Sequence, residues 1–199
     1  MLSSIVVLAS GSGSNLQSII EHARQGHIKA EIAAVVSDNP DAMALVRART
    51  AGIDSVLIRQ SDYASREMWE LALSQKVSEY RPALVVLAGF MRVLSEQFIM
   101  RFEKRVMNIH PSLLPAYRGL NTHQRVIDAG DSEHGATVHF VTSRLDDGPI
   151  VMQSRVQVLP GDDAEELARR VLEQEHVIYP EAIRQFIEGE ISFDNPACC

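Results

Sequence analysis

The sequence predicts an α/β fold: a single Rossmann-like, doubly wound domain on a mixed, mostly parallel sheet with an antiparallel C-terminal portion. Three observations predict it. Short apolar runs alternate with helix-spaced segments as far as about residue 129. The first of these runs are apolar at consecutive positions, as in strands buried on both faces. Two later runs flank the turn Asp146-Asp147-Gly148-Pro149 and read as antiparallel neighbours.

Ile5 to Ala9 is the first strand, broken by Ser10-Gly11-Ser12-Gly13. Helical spacing then runs from about Asn15 to Arg24, with Leu16, Ile19, Ile20 and Ala23 on one face. Ile32 to Ser37 is the second strand, and Asp41 to Ala51 a helix stopped by Gly52. Ile53 to Ile58 is a short third strand. Ser61 to Glu79 is a long helix carrying the only tryptophan, Trp69. Pro82 to Ala88 is the fourth strand, Ser95 to Phe102 a short helix, and Val106 to Ile109 the fifth strand. A helix follows Leu120 to about Ala129. Gly135 to Thr142 and Ile150 to Val156 are the two late strands. Asp162 or Asp163 caps a final helix reaching about Ile187, with a kink or break expected at Pro180.

With 199 residues and neither repeat nor low-complexity linker, the chain reads as one domain over 1–190 and a tail over 191–199. A hydrophobic content of 46% supplies a core of useful size. The net charge of −7, with Lys and Arg scattered, argues against a nucleic-acid partner, which needs a basic patch. It leaves room for a small anion held by backbone amides. The only cysteines, Cys198 and Cys199, form neither a disulfide framework nor a metal cluster and read as a tail in a reducing compartment. MLSSIVVLASG lacks a basic leader, and no apolar run approaches the roughly 18 residues of a membrane span. The expectation is a cytoplasmic protein without a membrane partner.

Ligands bind at the carboxyl edge of such a sheet, and three polar clusters follow strands there. Ser10-Gly11-Ser12-Gly13-Ser14-Asn15 opens a helix, where glycines admit an anion to free amides. Leu16 stands where a dinucleotide fingerprint needs its third glycine, and Asp38 only weakly imitates the ribose-binding acid, which favours a phosphate monoester. Gly89 to Val93 is the second cluster. The third is RVMNIHPSLLPAYRG, residues 105–119, in which Asn108 and His110 share one face of a strand that Pro111 ends. An amide can donate to a developing oxyanion, and an imidazole can move a proton near neutral pH. If the turn at Leu145 to Gly148 folds over this edge, Asp146 pairs with His110 and raises its pKa by favouring the charged ring. His123 and His139 neighbour the same edge. His134 reads as a turn residue and His176 as a satisfied helix residue. No HExxH spacing exists, so no catalytic metal is expected, and no G-x-S-x-G elbow exists.

SGSGSN (10–15), LAGFMRVLS (87–95), NIHPSLLPAYRG (108–119), HGATVHFV (134–141), LDDGPI (145–150) and QEHVIYP (174–180) together resemble the folate-dependent formyltransferase family, from about residue 4 to residue 190. SGSGSN and the short length resemble its glycinamide ribonucleotide branch. The resemblance implies transfer of a formyl group from 10-formyltetrahydrofolate to the amine of glycinamide ribonucleotide, without metal, by a monomer or weak homodimer. It implies a catalytic trio of Asn108, His110 and Asp146. Gly13, Ser14 and Asn15 match the ribotide-phosphate loop. Glu175, with a turn at Leu172, Glu173 and Gln174, matches the segment that contacts the sugar and glycinamide. Arg66, Met91, Arg92, Val93 and Leu94 match folate-binding positions, as do Asn108, Thr142, Ser143, Arg144, Leu145 and Asp146. Two residues depart from the pattern. Ala116 replaces a residue that is often basic, with Arg118 a possible substitute, and Asp147 replaces the second glycine of LDGGP, which is tolerated if its φ is negative.

Methionyl-tRNA formyltransferase shares SLLP-x-x-RG, but it carries a further domain and needs a surface for tRNA. A sugar-nucleotide formyltransferase is a weaker alternative of the same chemistry. A non-catalytic nucleotide-binding module leaves Asn108, His110 and Asp146 without a common purpose, and Leu16 disfavours a dehydrogenase.

Overall fold

A computed structural model describes residues 2–196; Cys198 and Cys199, read above as a tail, lie outside the described residues. The strands are β1 (Ser3–Leu8), β2 (Ala30–Ser37), β3 (Asp54–Leu57), β4 (Leu84–Leu87), β5 (Val106–His110), β6 (Glu133–Phe140) and β7 (Ile150–Gln157). The helices are α1 (Ser14–Arg24), α2 (Met43–Ala51), α3 (Arg66–Glu79), α4 (Glu96–Arg101), α5 (Thr122–Ala129) and α6 (Ala164–Ile187). All seven strands form one sheet in the order β3-β2-β1-β4-β5-β6-β7. β1 to β5 pair in parallel, and β6 and β7 are antiparallel additions. The predicted fold class is the observed one.

Period-two alternation in β1 divides one apolar run between two cores. Ile5 and Val7 face a core shared with α1, α2, α5 and α6, while Val6 and Leu8 face a core built on Trp69, Leu73 and Phe98 of α3 and α4. The chain leaves β1 toward β2 on one side and reaches β4 on the other. The strand order therefore reverses between β1 and β4, and the loops after them lie at a topological switch point, where such sheets bind ligands.

Three elements differ from expectation. The helix expected from Ser61 starts at Arg66, because Ser65 caps it by accepting from Met68 N, and Gln60–Asp62 is a separate 3₁₀ turn. His134 lies in β6 and not in a turn. α6 runs unbroken through Pro180. Proline has no N–H, so the carbonyl four residues earlier, on His176, loses its helical partner. The Ser18 hydroxyl donates to that carbonyl at 2.8 Å and makes the proline tolerable. Beyond α6, Ile191 is buried and Phe193 stacks on Phe140 at a centroid distance of 5.6 Å, so the start of the expected tail rests on the core.

Candidate active site

β5 carries Met107 and Ile109 into the α1/α6 core and turns Asn108 and His110 to the opposite face. Antiparallel pairing sets His139 of β6 opposite Asn108 and Thr137 opposite His110. His139 Nδ1–H donates to Phe140 O at 2.9 Å, which leaves Nε2 to accept from Asn108 Nδ2 at 3.2 Å. Burial pushes the His139 pKa down, in keeping with a neutral ring that accepts. One Asn108 N–H is thereby fixed, and the other is left for a ligand. The register of β5 on β6 was the signal that would have assigned His139 this place.

His110 is buried, and its Nε2–H donates to Tyr117 O at 3.0 Å. A second proton on this ring can sit only on Nδ1, which lies 3.6 Å from Asp146 Oδ2. The same Oδ2 accepts from Gly119 N at 2.9 Å, and Oδ1 lies 3.9 Å from His139 Nε2. The turn after β6 thus folds over the sheet edge and brings Asp146 to His110. Ser112 O accepts from Thr137 Oγ1 at 2.6 Å, and Leu114 N donates to the same hydroxyl at 3.0 Å. Gln153 donates to Leu114 O at 2.8 Å. These buried bonds hold the SLLP segment whose continuation supplies Tyr117 O and Gly119 N. Sequence reasoning gave no role to Thr137, although HGATVHFV contains it, or to Gln153, because strand pairing and not chain position brings both to the SLLP segment.

The φ of Asp146 is 47°, whereas Asp147 is outside the left-handed region, so the departure from glycine at 147 carries no backbone strain. The Asp147 carboxylate meets the Arg118 guanidinium. The charge of Arg118 is therefore spent on Asp147, while Ala116 is exposed.

At the other end of this sheet edge, Gly13 precedes α1 with φ 68°. A Cβ there would lie 2.8 Å from Ala44 Cα, so only glycine lets α2 close on this loop. Ser14 and Asn15 begin the helix with free amides. Asn15 Nδ2 donates to Glu175 Oε2 at 2.6 Å, and its buried Oδ1 has no hydrogen-bond partner among the described residues. Burial pushes the Glu175 pKa up, and the Asn15 bond works the other way. Leu172, Glu173 and Gln174 are not the expected turn but lie inside α6. Helical spacing points them in different directions. Glu173 pairs with Arg169 at the surface, Gln174 accepts from Ser154 Oγ at 2.8 Å, and only Glu175 meets Asn15.

Between these ends lies the loop after β4. Met91, Arg92 and Val93 are exposed, and Leu94 is anchored in the α3/α4 core. Arg66 Nη2 donates to Val93 O at 2.6 Å, so this arginine braces the loop from α3. Across from it, Thr142 Oγ1 accepts from Arg144 N at 3.3 Å, and Ser143, Arg144 and Leu145 are exposed. His123 pairs through Nδ1 with His134 Nε2 at 3.0 Å. His176 is not satisfied as expected: its buried Nε2 has no hydrogen-bond partner among the described residues. No set of three His, Cys, Asp or Glu side chains among the described residues is arranged to hold a metal ion.

A family model described as formyl transferase matches residues 3–183. The chain is 47% identical over 193 residues to phosphoribosylglycinamide formyltransferase of Escherichia coli, covering 97% of this chain and 91% of that one. It is 43% identical over 188 residues to the trifunctional purine biosynthetic protein adenosine-3 of Drosophila melanogaster, covering 93% of this chain and 14% of that one. Among solved structures, glycinamide ribonucleotide transformylase 1 of Symbiobacterium toebii superposes with a TM-score of 0.93 at 47% identity, over 94% of this chain and 89% of that one.

Proposed function

This chain belongs to the formyl transferase family, and from that premise we propose how its candidate site works. It is an enzyme that transfers the formyl group of 10-formyltetrahydrofolate to the amine of glycinamide ribonucleotide in purine biosynthesis. The observation that carries the reading is the convergence of Asn108, His110 and Asp146, from two separate segments, on the end of β5.

In our reading, the ribotide phosphate lies on the amides of Gly13, Ser14 and Asn15, and Glu175 takes the sugar and glycinamide through the carboxylate that Asn15 orients. The neighbouring turn of α6, Leu172 to Gln174, borders that end. The folate lies along Met91 to Leu94 and Thr142 to Asp146, with Arg66 bracing the first of these segments. The amine attacks the formyl carbon and a tetrahedral oxyanion forms. The free Asn108 N–H and the charged His110 ring stabilise it. Asp146 faces the nitrogen that carries the second proton, so the charge formed on the ring has a counter-ion. The C–N bond to folate then breaks. His110, or a water beside it, carries the proton lost by the amine to the departing folate nitrogen. Tetrahydrofolate and formylglycinamide ribonucleotide leave.

The single formyltransferase domain over 1–190, a cytoplasmic location and a monomer or weak homodimer complete the proposal. No helix of the described residues is long and apolar enough to cross a membrane. The test is absorbance of the released folate on mixing enzyme with 10-formyl folate, with and without glycinamide ribonucleotide. Ribotide-dependent turnover is expected. Folate release without ribotide would mean a hydrolase, and no turnover despite folate binding would mean another acceptor, such as methionyl-tRNA or an amino-sugar nucleotide.

A further inference from the structure

Asp38 stands after β2, where a dinucleotide fold would place a ribose-binding acid. Here both carboxylate oxygens are taken by the protein. Oδ1 accepts from Ser10 Oγ at 2.6 Å, and Oδ2 accepts from Arg92 Nε at 2.6 Å. The Asp38 side chain is 4% exposed and that of Arg92 is 45% exposed. Ser10 Oγ in turn accepts from Met91 N at 3.0 Å, and Ser10 N donates to Gly89 O at 3.0 Å. Asn39 Nδ2 donates to Ser10 O at 2.9 Å. One buried carboxylate thus ties together the loops after β1, β2 and β4, the loops that border the switch point of the sheet.

Charge placed so far from water is costly unless it is paired and hydrogen-bonded, so the pairing is tightly specified. Only Nε of Arg92 is engaged; among the described residues, no hydrogen bond is made by Nη1 or Nη2. A guanidinium held along one edge has its plane fixed and its far edge open. Met91, whose N–H the same network holds, is the residue immediately before Arg92.

We propose that Asp38 is a positioning residue for the folate substrate: through Arg92 and Ser10 it fixes the Met91–Leu94 loop in the conformation that takes 10-formyltetrahydrofolate. The proposal rests on the assignment of that loop to folate binding. Asp38→Asn retains an oxygen for Ser10 and withdraws the charge from Arg92.

The experiment is steady-state kinetics of Asp38→Asn, Asp38→Glu, Arg92→Ala and the double variant Asp38→Asn/Arg92→Ala, with each substrate varied in turn. Wild-type enzyme is run first. If it shows no ribotide-dependent turnover, the functional reading itself fails, independently of Asp38. Given that turnover, Asp38→Asn is expected to raise KM for the folate about tenfold, the loss of one charge-assisted hydrogen bond. Its ribotide KM and kcat stay within about twofold of wild type on the same reasoning. Asp38→Glu recovers part of the loss. The double variant is no worse in folate KM than Arg92→Ala alone, because Asp38 acts through Arg92. An unchanged folate KM overturns the proposal, with or without a lower melting temperature. So does an equal rise in both KM values, or additive effects in the double variant. Should Asp38→Asn fail to fold, Arg92→Lys carries the test, since it keeps the charge and removes the Nε donor. Its folate KM then rises at an unchanged melting temperature; an unchanged KM overturns the proposal.

Discussion

Asp146 combines an uncommon backbone conformation with a buried carboxylate. At φ 47° it occupies the left-handed region, which Asp and Asn enter more readily than most residues. That conformation aims Oδ2 at both Gly119 N and His110 Nδ1. Asp146→Asn keeps the conformational tolerance and removes the charge. We expect kcat to fall by about a hundredfold or more while the melting temperature changes little. A change confined to the melting temperature would make Asp146 structural. The pairing of Asp146 with His110 was legible only as a condition, because it depends on where a turn 36 positions along the chain comes to rest. The role of Asp147 was less legible. Its partner Arg118 reaches it only when two loops meet over the sheet edge.

Among the elements, α6 shows how a local rule yields to tertiary structure. Pro180 signals a kink or break in the sequence, yet Ser18 of α1 supplies the donor that the His176 carbonyl lacks. Ser18→Ala leaves that carbonyl unsatisfied and should cost about 1–2 kcal/mol, read as a lower urea midpoint at unchanged slope. An unchanged midpoint would mean that water replaces the hydroxyl. The loop that carries Asp146 depends in turn on Gly148. A Cβ there would lie 1.7 Å from Phe140 O, so Gly148→Ala must move the loop. It should lower kcat more than Asp147→Gly, which changes no close contact of this kind; the two activities measured side by side check this. Among the described residues, the central strands β1, β2 and β4 were legible because burial on both faces leaves unbroken apolar runs, and α1 because its apolar residues recur on one face. The α3 start was displaced because Ser65, not Ser61, has an N–H to cap. The turn expected at Leu172 to Gln174 was an error of the opposite kind: nothing in those three residues breaks a helix.

The whole molecule places the two proposed substrate regions on either side of one strand end and leaves four histidines with depressed pKa values. Burial pushes His134 down to about 4, with the neighbouring His123 and His110 adding to it. Burial also lowers His123, His139 and His176. The unfolded chain takes up these protons near pH 6.5, before the folded one. Stability from this source is complete above about pH 6.5 and declines as pH falls toward about 4. Glu175, raised by burial, acts in the opposite sense but is one group against four. The urea midpoint should therefore fall between pH 7 and pH 5, and less steeply in His134→Gln; a flat or rising midpoint would contradict this. The central claim concerns the end of β5, and the most direct measurement is formyl transfer in a single turnover with both substrates saturating, comparing wild type with His110→Ala. The account predicts a transfer rate lower by about a thousandfold, with both substrates still bound and the fold intact. An unchanged rate would remove His110 from the mechanism and contradict the account.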